Sequence, residues 1–369
     1  MLESKPKVLF FMHMPPPVHG AAQMGQYIHD SKLINESFNC RYFNLSASSN
    51  VNEVGHFSVK KILFLFTSIF RMIKIVNQWK PDLVYTTPTT DGLGFYRDFF
   101  TILILKKKFC KIVVHFHNRP NKHFSEKWYN KKLYAKFFNG IKVIFLSHRL
   151  VPEFSSYLAS DQLFICPNGI FAPPLKKNYN IRDEKYTFLF LSNMMIEKGV
   201  YVLLQACKIL KKKGYKFRCD LVGKWSDIQP SDFEKERQHE LLNENIFAHG
   251  AKYGCEKVSF FCNSDCFVFP TYYSGEAFPL VVLEAMSFSL PVISTNIAGI
   301  PDIVENGKNG FCIEPQNAEK LAETMAWMID HPEDGKRIGK NGYKIFEEKF
   351  TLEKFESNIC SILQECQKR

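Results

Sequence analysis

Short apolar runs alternate with longer stretches whose apolar residues recur at helical spacing, and the alternation restarts once along the chain. Lys7-Val-Leu-Phe-Phe-Met-His13 reads as a strand buried on both faces, followed by a loop, Met14 to Gly20, and a helical pattern from about Ala21 to Ile34. Further strands are expected at Leu83–Thr86, Ile112–Phe116, Val143–Leu146 and Leu163–Cys166, with helices over 58–78 and 125–139. The pattern then begins again with a strand over Tyr186–Ser192 and a helix over 199–213. Arg218–Val222, Cys266–Pro270 and Val292–Thr295 complete the strands, and 343–369 reads as helix. Between the halves, Pro167-Asn-Gly-Ile170 and Pro173-Pro174 form a natural linker. The expected fold is therefore α/β: two doubly wound Rossmann-like domains, 1–172 and 173–345, facing across a cleft, with residues 346–369 as a terminal helix. Ligands of such folds bind at the carboxyl ends of the strands.

Composition agrees with this division. A chain of 369 residues suits two domains of about 150–200 residues each. Eleven cysteines, an odd number with no CxxC pair or zinc spacing, point to a reducing cytoplasm. The longest largely apolar run, Ile62–Phe70, is far below the roughly 20 residues that span a bilayer. Val8–Met12 is too short for a signal peptide. Net charge is +11, yet it is unevenly placed: residues 1–175 carry 22 Lys+Arg against 10 Asp+Glu, whereas 176–369 carry 26 against 27. That asymmetry suits attraction to an anionic surface, and equally suits lysine-rich solvated helices.

The most informative stretch is Ser274-Gly-Glu-Ala-Phe-Pro-Leu-Val-Val-Leu-Glu284-Ala-Met286. Pro279 fits the first turn of a helix, so the amides near Phe278, Leu280 and Val281 would present a positive helix end suited to a diphosphate. Glu276 precedes that helix and Glu284 lies within it, placed to accept hydrogen bonds from sugar or ribose hydroxyls. A solvated amphipathic helix would show the same two glutamates.

Context separates the readings. The Glu-x7-Glu pair is followed by Leu290-Pro-Val-Ile-Ser-Thr295, Ala298-Gly-Ile-Pro-Asp302 and Asn306-Gly-Lys-Asn-Gly310-Phe311. With the Gly20 loop, His115-Phe-His-Asn118, Pro167-Asn-Gly169 and Glu197-Lys-Gly199, this series resembles glycosyltransferase family four, the retaining group 1 enzymes of two-domain GT-B architecture. The resemblance spans nearly the whole chain. It implies that Lys198 neutralises the donor diphosphate, Glu276 contacts the donor sugar, and Glu284 the ribose. It places Ala277, Phe278, Pro279 and Leu280 along the donor. Gly20 and Gly223 would give the donor room. The terminal helix would cross back onto the first domain.

The family usually has Gly-Arg-Leu where this chain has Ser192-Asn193-Met194, so the arginine expected beside Lys198 at the donor is replaced by Asn193. Arg119 and Lys224 are candidate substitutes. Ser289 stands where glycine is common, a packing variation. Residues two apart on a strand share a face, so His115 and His117 both point the same way. The resemblance favours His117 as the histidine near the anomeric carbon; a metal pair or a structural role for His115 are the other readings. The chain has no Asp-x-Asp run, so no metal and no cofactor are expected.

The function expected is transfer from a nucleotide-sugar, UDP-linked in preference to GDP-linked, to a glycan or lipid-linked acceptor in surface polysaccharide synthesis. The enzyme would be cytoplasmic and peripheral at the membrane's inner, anionic face. No recognised nucleic-acid module is present. A nucleotide-sugar 2-epimerase, or a sugar-nucleotide binding protein without catalysis, are the alternatives.

Overall fold

The computed structural model describes residues 5–45, 59–108, 110–172 and 185–368. Two compact units divide the chain: Met1–Gly169 with Leu352–Arg369, and Ile170–Thr351. Each is built on a six-stranded sheet in which every strand pair is parallel.

In the first unit the strands are β1 (Lys7–Met12), β2 (Asn39–Asn44), β3 (Leu83–Thr86), β4 (Lys111–Phe116), β5 (Lys142–Phe145) and β6 (Leu163–Ile165). Their order is β2-β1-β3-β4-β5-β6. The central strands β1, β3 and β4 are almost wholly buried, as a parallel sheet covered on both faces requires. Beside them, Phe116, Phe138, Phe145 and Phe154 pack ring on ring with centroids 5.1–5.9 Å apart. The helix Leu352–Lys368 closes this unit, burying Phe355, Ile359 and Leu363 against β3, β4 and the helix Lys32–Ser37.

The second unit carries β7 (Tyr186–Leu191), β8 (Phe217–Val222), β9 (Ile246–Ala248), β10 (Cys266–Phe269), β11 (Val292–Thr295) and β12 (Gly310–Ile313) in the order β12-β11-β10-β7-β8-β9. The order in which strands are added reverses between β7 and β10, so their carboxyl ends open the crevice where doubly wound folds bind ligands.

Three details depart from the pattern reading. Strands β2, β9 and β12 and the helices Gly92–Lys107, Pro230–His239, Gly254–Cys262 and Ala318–Asp330 are present in addition to those expected. The helix expected over 125–139 is two helices, Lys122–Ser125 and Trp128–Phe138. The helix expected over 343–369 is interrupted at Phe350-Thr351, between Pro332–Lys349 and Leu352–Lys368. Among the described residues, no helix is long and apolar enough to cross a membrane.

Candidate active site

At the crevice of the second unit, the loops following β7 and β10 bring Lys198 and Glu276 together. Lys198 Nζ donates to Glu276 Oε2 at 2.6 Å, and both side chains are largely buried. The ammonium also lies 4.6 Å from the centroid of the Tyr273 ring. Backbone stitches the two loops, Tyr272 N–H donating to the Glu197 carbonyl at 2.8 Å, and within the second loop Glu276 N–H donates to the Tyr273 carbonyl at 3.0 Å. Thr271 anchors the second loop through its carbonyl, which accepts from Thr295 Oγ1 at 2.6 Å. A buried ion pair carries a desolvation cost that its own attraction barely offsets, so the pair adds little to stability.

Gly199, which ends the short turn after β7, has φ +86° and lies so close to Pro270 that a Cβ would stand 2.1 Å from that residue's carbonyl oxygen. Only glycine satisfies both demands, and the turn it permits fixes Lys198 against the end of β10. Gly223 is equally constrained, but by the fold: a Cβ there would meet the Ser192 carbonyl oxygen at 1.6 Å. The close approach to Ser192 is enough to require this glycine.

The helix after Glu276 runs from Leu280 to Ser287, with Pro279 at the N-cap position, one residue before the first turn that the sequence suggested. Ala277, Phe278 and Pro279 are buried, and the Phe278 ring packs against Phe350 with centroids 5.8 Å apart. What this segment can offer a ligand is therefore main chain and the positive end of an apolar, buried helix. Glu284 lies half-buried in the same helix, and its Oε1 accepts from Lys257 Nζ at 2.6 Å. Asn193 is exposed, with its carbonyl accepting from Met195 N–H at 2.8 Å. Arg119, a candidate substitute for the missing arginine, belongs to the first unit and is tied to Glu153 at 2.7 Å. Lys257 is the cation that sequence reasoning missed: its pairing with Glu284 joins residues 27 apart, and no motif marks it.

In the first unit, the loop after β1 and the carboxyl end of β4 gather four histidines. His13 follows β1, and its N–H donates to Thr87 Oγ1 at 3.2 Å. His19 caps the helix Gly20–Asp30, its Nδ1 accepting from Ala22 N–H at 3.3 Å, which requires a neutral ring protonated on Nε2. Gly20 is the first residue of that helix. Farther along it, Gly25 lies so close to the turn after β1 that a Cβ would stand 1.9 Å from the His13 carbonyl oxygen.

His115 bonds Tyr85 Oη through Nδ1 at 2.7 Å, and its ring lies 4.2 Å from that of His117. Both ring nitrogens of His117 are closed to solvent, with the Asn168 side chain beside the ring. Burial pushes His117 down to about 3, with His13 and His19 acting in the same sense. Burial and the nearby Arg97 guanidinium push His13 down to about 4, although Asp98 opposes them. Arg97 itself is held by Asp98 at 2.7 Å. Burial likewise holds His19 and His115 below the ordinary range, His115 far below it. These imidazoles are neutral at physiological pH. His13 and His19 carry no recognisable spacing; only the shared ends of β1 and β4 unite them with His117.

Among the described residues, one group could reach a single metal ion: Glu236, His239 and Glu240 in the second unit. Its Glu240 is already engaged by Lys208 at 2.5 Å, and none of the three is a predicted site residue.

Two Rossmann-like units, the second holding a lysine–carboxylate pair and a buried helix end at its switch point, define the GT-B class. Residues 172–345 match the family model described as glycosyl transferases group 1. The capsular polysaccharide biosynthesis glycosyltransferase CapM of Staphylococcus aureus is 29% identical over 342 residues, covering 85% of this chain and 87% of that protein. A glycosyltransferase structure from Rickettsia africae superposes with a TM-score of 0.76 at 19% identity, covering 99% of both chains. That of Anabaena HepE in complex with UDP gives 0.75 at 16% identity, covering 98% of this chain and 100% of that one. The second unit thus matches the group 1 glycosyl transferases, and the chain as a whole is similar to glycosyltransferases along most of its length.

Proposed function

We propose that the protein transfers a sugar, with retention of anomeric configuration and without a metal, from a UDP-sugar to a glycan or lipid-linked acceptor in surface polysaccharide synthesis. The observation that carries this reading is the Lys198–Glu276 pair at the switch point of the second unit, before the helix Leu280–Ser287. Lys198 and the helix end would stabilise the negative charge that develops on the departing diphosphate. Glu276 would accept hydrogen bonds from the transferred sugar, and Glu284 from the ribose. Ala277, Phe278 and Leu280 would contribute backbone. Asn193 would supply hydrogen bonds but no charge, with Lys257 as the additional cation. His117 would act on the transferred sugar through its neutral ring or its carbonyl, and Gly20 would leave space for the donor.

In the reaction, the bond from the anomeric carbon to the phosphate oxygen breaks and its electron pair stays with the diphosphate. The acceptor oxygen bonds to the same face of the sugar and its proton passes to the leaving phosphate. The absence of an Asp-x-Asp run supports a charge-stabilising role for protein cations. UDP in the HepE structure supports the choice of base, and CapM's role supports the choice of product. The charge asymmetry and the apolar nature of lipid carriers support work at the inner face of a membrane.

Thermal shift with UDP, GDP and ADP, coupled to a transfer assay, tests the reading. UDP should raise the melting temperature of the wild type and fail to raise that of Lys198→Ala. Transfer should fall by about 100-fold or more in Lys198→Ala and Glu276→Gln. Unchanged transfer in both variants would overturn the site assignment.

A further inference from the structure

Both carboxylates assigned to hydroxyls of the donor already hold a lysine. Glu276 Oε2 accepts from Lys198 Nζ at 2.6 Å, and Glu284 Oε1 accepts from Lys257 Nζ at 2.6 Å. Two cations and two carboxylates sum to zero, so while they stay paired these four side chains offer a diphosphate no net charge.

The Lys198 pair is the more enclosed of the two. Its side chains are 14% and 10% exposed, against 27% and 28% for Lys257 and Glu284. Besides the carboxylate, the Lys198 ammonium meets the Tyr273 ring, with its centroid 4.6 Å away, and the Phe269 ring at 5.5 Å. Ring faces attract cations and repel anions, so neither ring offers a phosphate oxygen a place. The carboxylate is the neighbour that another anion can replace like for like. Glu276 is lightly held apart from this pairing: among the described residues its side chain has one further partner, Thr271 Oγ1, at 3.5 Å, the outer limit of a hydrogen bond.

We infer that Glu276 stands in the empty site where the donor's phosphate will stand, and that this internal counter-anion makes the site prefer the sugar-bearing donor to bare UDP. The role deepens the proposed function and rests on it, since Lys198 must receive the diphosphate and Glu276 the transferred sugar. When a UDP-sugar enters, its phosphate takes the ammonium and the sugar hydroxyls donate to the displaced carboxylate. Both charges then keep partners. When UDP enters alone, the same displacement leaves Glu276 without a donor and beside an anion, which lowers affinity. The same difference acts after transfer. Once the sugar has passed to the acceptor, Glu276 reclaims Lys198 and the hold on UDP weakens. One carboxylate thereby favours both capture of donor and release of product.

Calorimetric titration of the full chain with UDP tests it. Glu276→Gln keeps the shape of the side chain and removes its charge, and should bind UDP roughly tenfold more tightly than the wild type. Glu276→Ala should change affinity in the same direction. Glu284→Gln should bind UDP more weakly, because the ribose, unlike the transferred sugar, is part of UDP. Cooperative melting of each variant without nucleotide reports its fold. If the wild type binds UDP and neither Glu276 variant binds it more tightly, the competition is overturned while the donor site stands. Equal tightening in Glu284→Gln would mark a general relief of charge and overturn it as well. A wild type that binds no UDP would sink the donor-site reading together with this role.

Discussion

Four histidines at the strand ends of the first unit share one electrostatic condition: each is held neutral by burial, with little acidic company. A histidine whose folded pKa lies below its ordinary value binds fewer protons folded than unfolded, so stability rises with pH between the two values. The window runs from about 4 to 6.5 for His13 and from about 3 to 6.5 for His117. Melting temperature should therefore fall as pH is lowered from 7 towards 4, and His13→Gln should flatten that fall. Parallel profiles for variant and wild type, measured by calorimetry, would refute the assignment. At this scale the sequence marked Lys198, Glu276, Glu284 and His117, because each stands in a motif, and the structure brings the first two into contact. It concealed Lys257, His13 and His19, because their neighbours are made by helix placement and strand ends, which spacing does not encode.

Turns govern the next level. The turn carrying Lys198 exists because Gly199 combines a left-handed backbone with close approach to Pro270. Gly199→Ala should lower stability by on the order of 2 kcal/mol or more, since both the backbone and the contact become unfavourable. It should also weaken UDP binding by displacing Lys198; denaturant melts and UDP titration measure the two effects. Gly223→Ala differs in its cause, because Ser192 alone makes it intolerable. Loss of thermal stability in that variant should appear without any nucleotide present. The buried central strands were readable as apolar runs, whereas β2, at a sheet edge, exposes Asn39 and Arg41 and breaks the pattern. Strand β9 has only three residues, and β12 opens on a glycine, which leaves too little periodicity to read.

At the scale of the molecule, the first unit is discontinuous in sequence, and Leu352–Lys368 supplies part of its core. A chain ending at Thr351 should lose cooperative unfolding of that unit and become sensitive to protease within residues 5–169, since Phe355, Ile359 and Leu363 leave apolar surface uncovered. Limited proteolysis mapped by mass spectrometry checks this, and a first unit as resistant as in the wild type would refute it. The chain passes from the first unit to the second at Gly169-Ile170 and returns at Thr351-Leu352, where Ile170 N–H donates to the Phe350 carbonyl at 3.0 Å. During synthesis, then, the usual order of domain completion is inverted. The second unit is complete in sequence at Thr351, but the first unit, begun earlier, remains unfinished until residues beyond 351 emerge. Nascent chains carrying the exposed faces of β3 and β4 are the natural clients of a ribosome-bound chaperone.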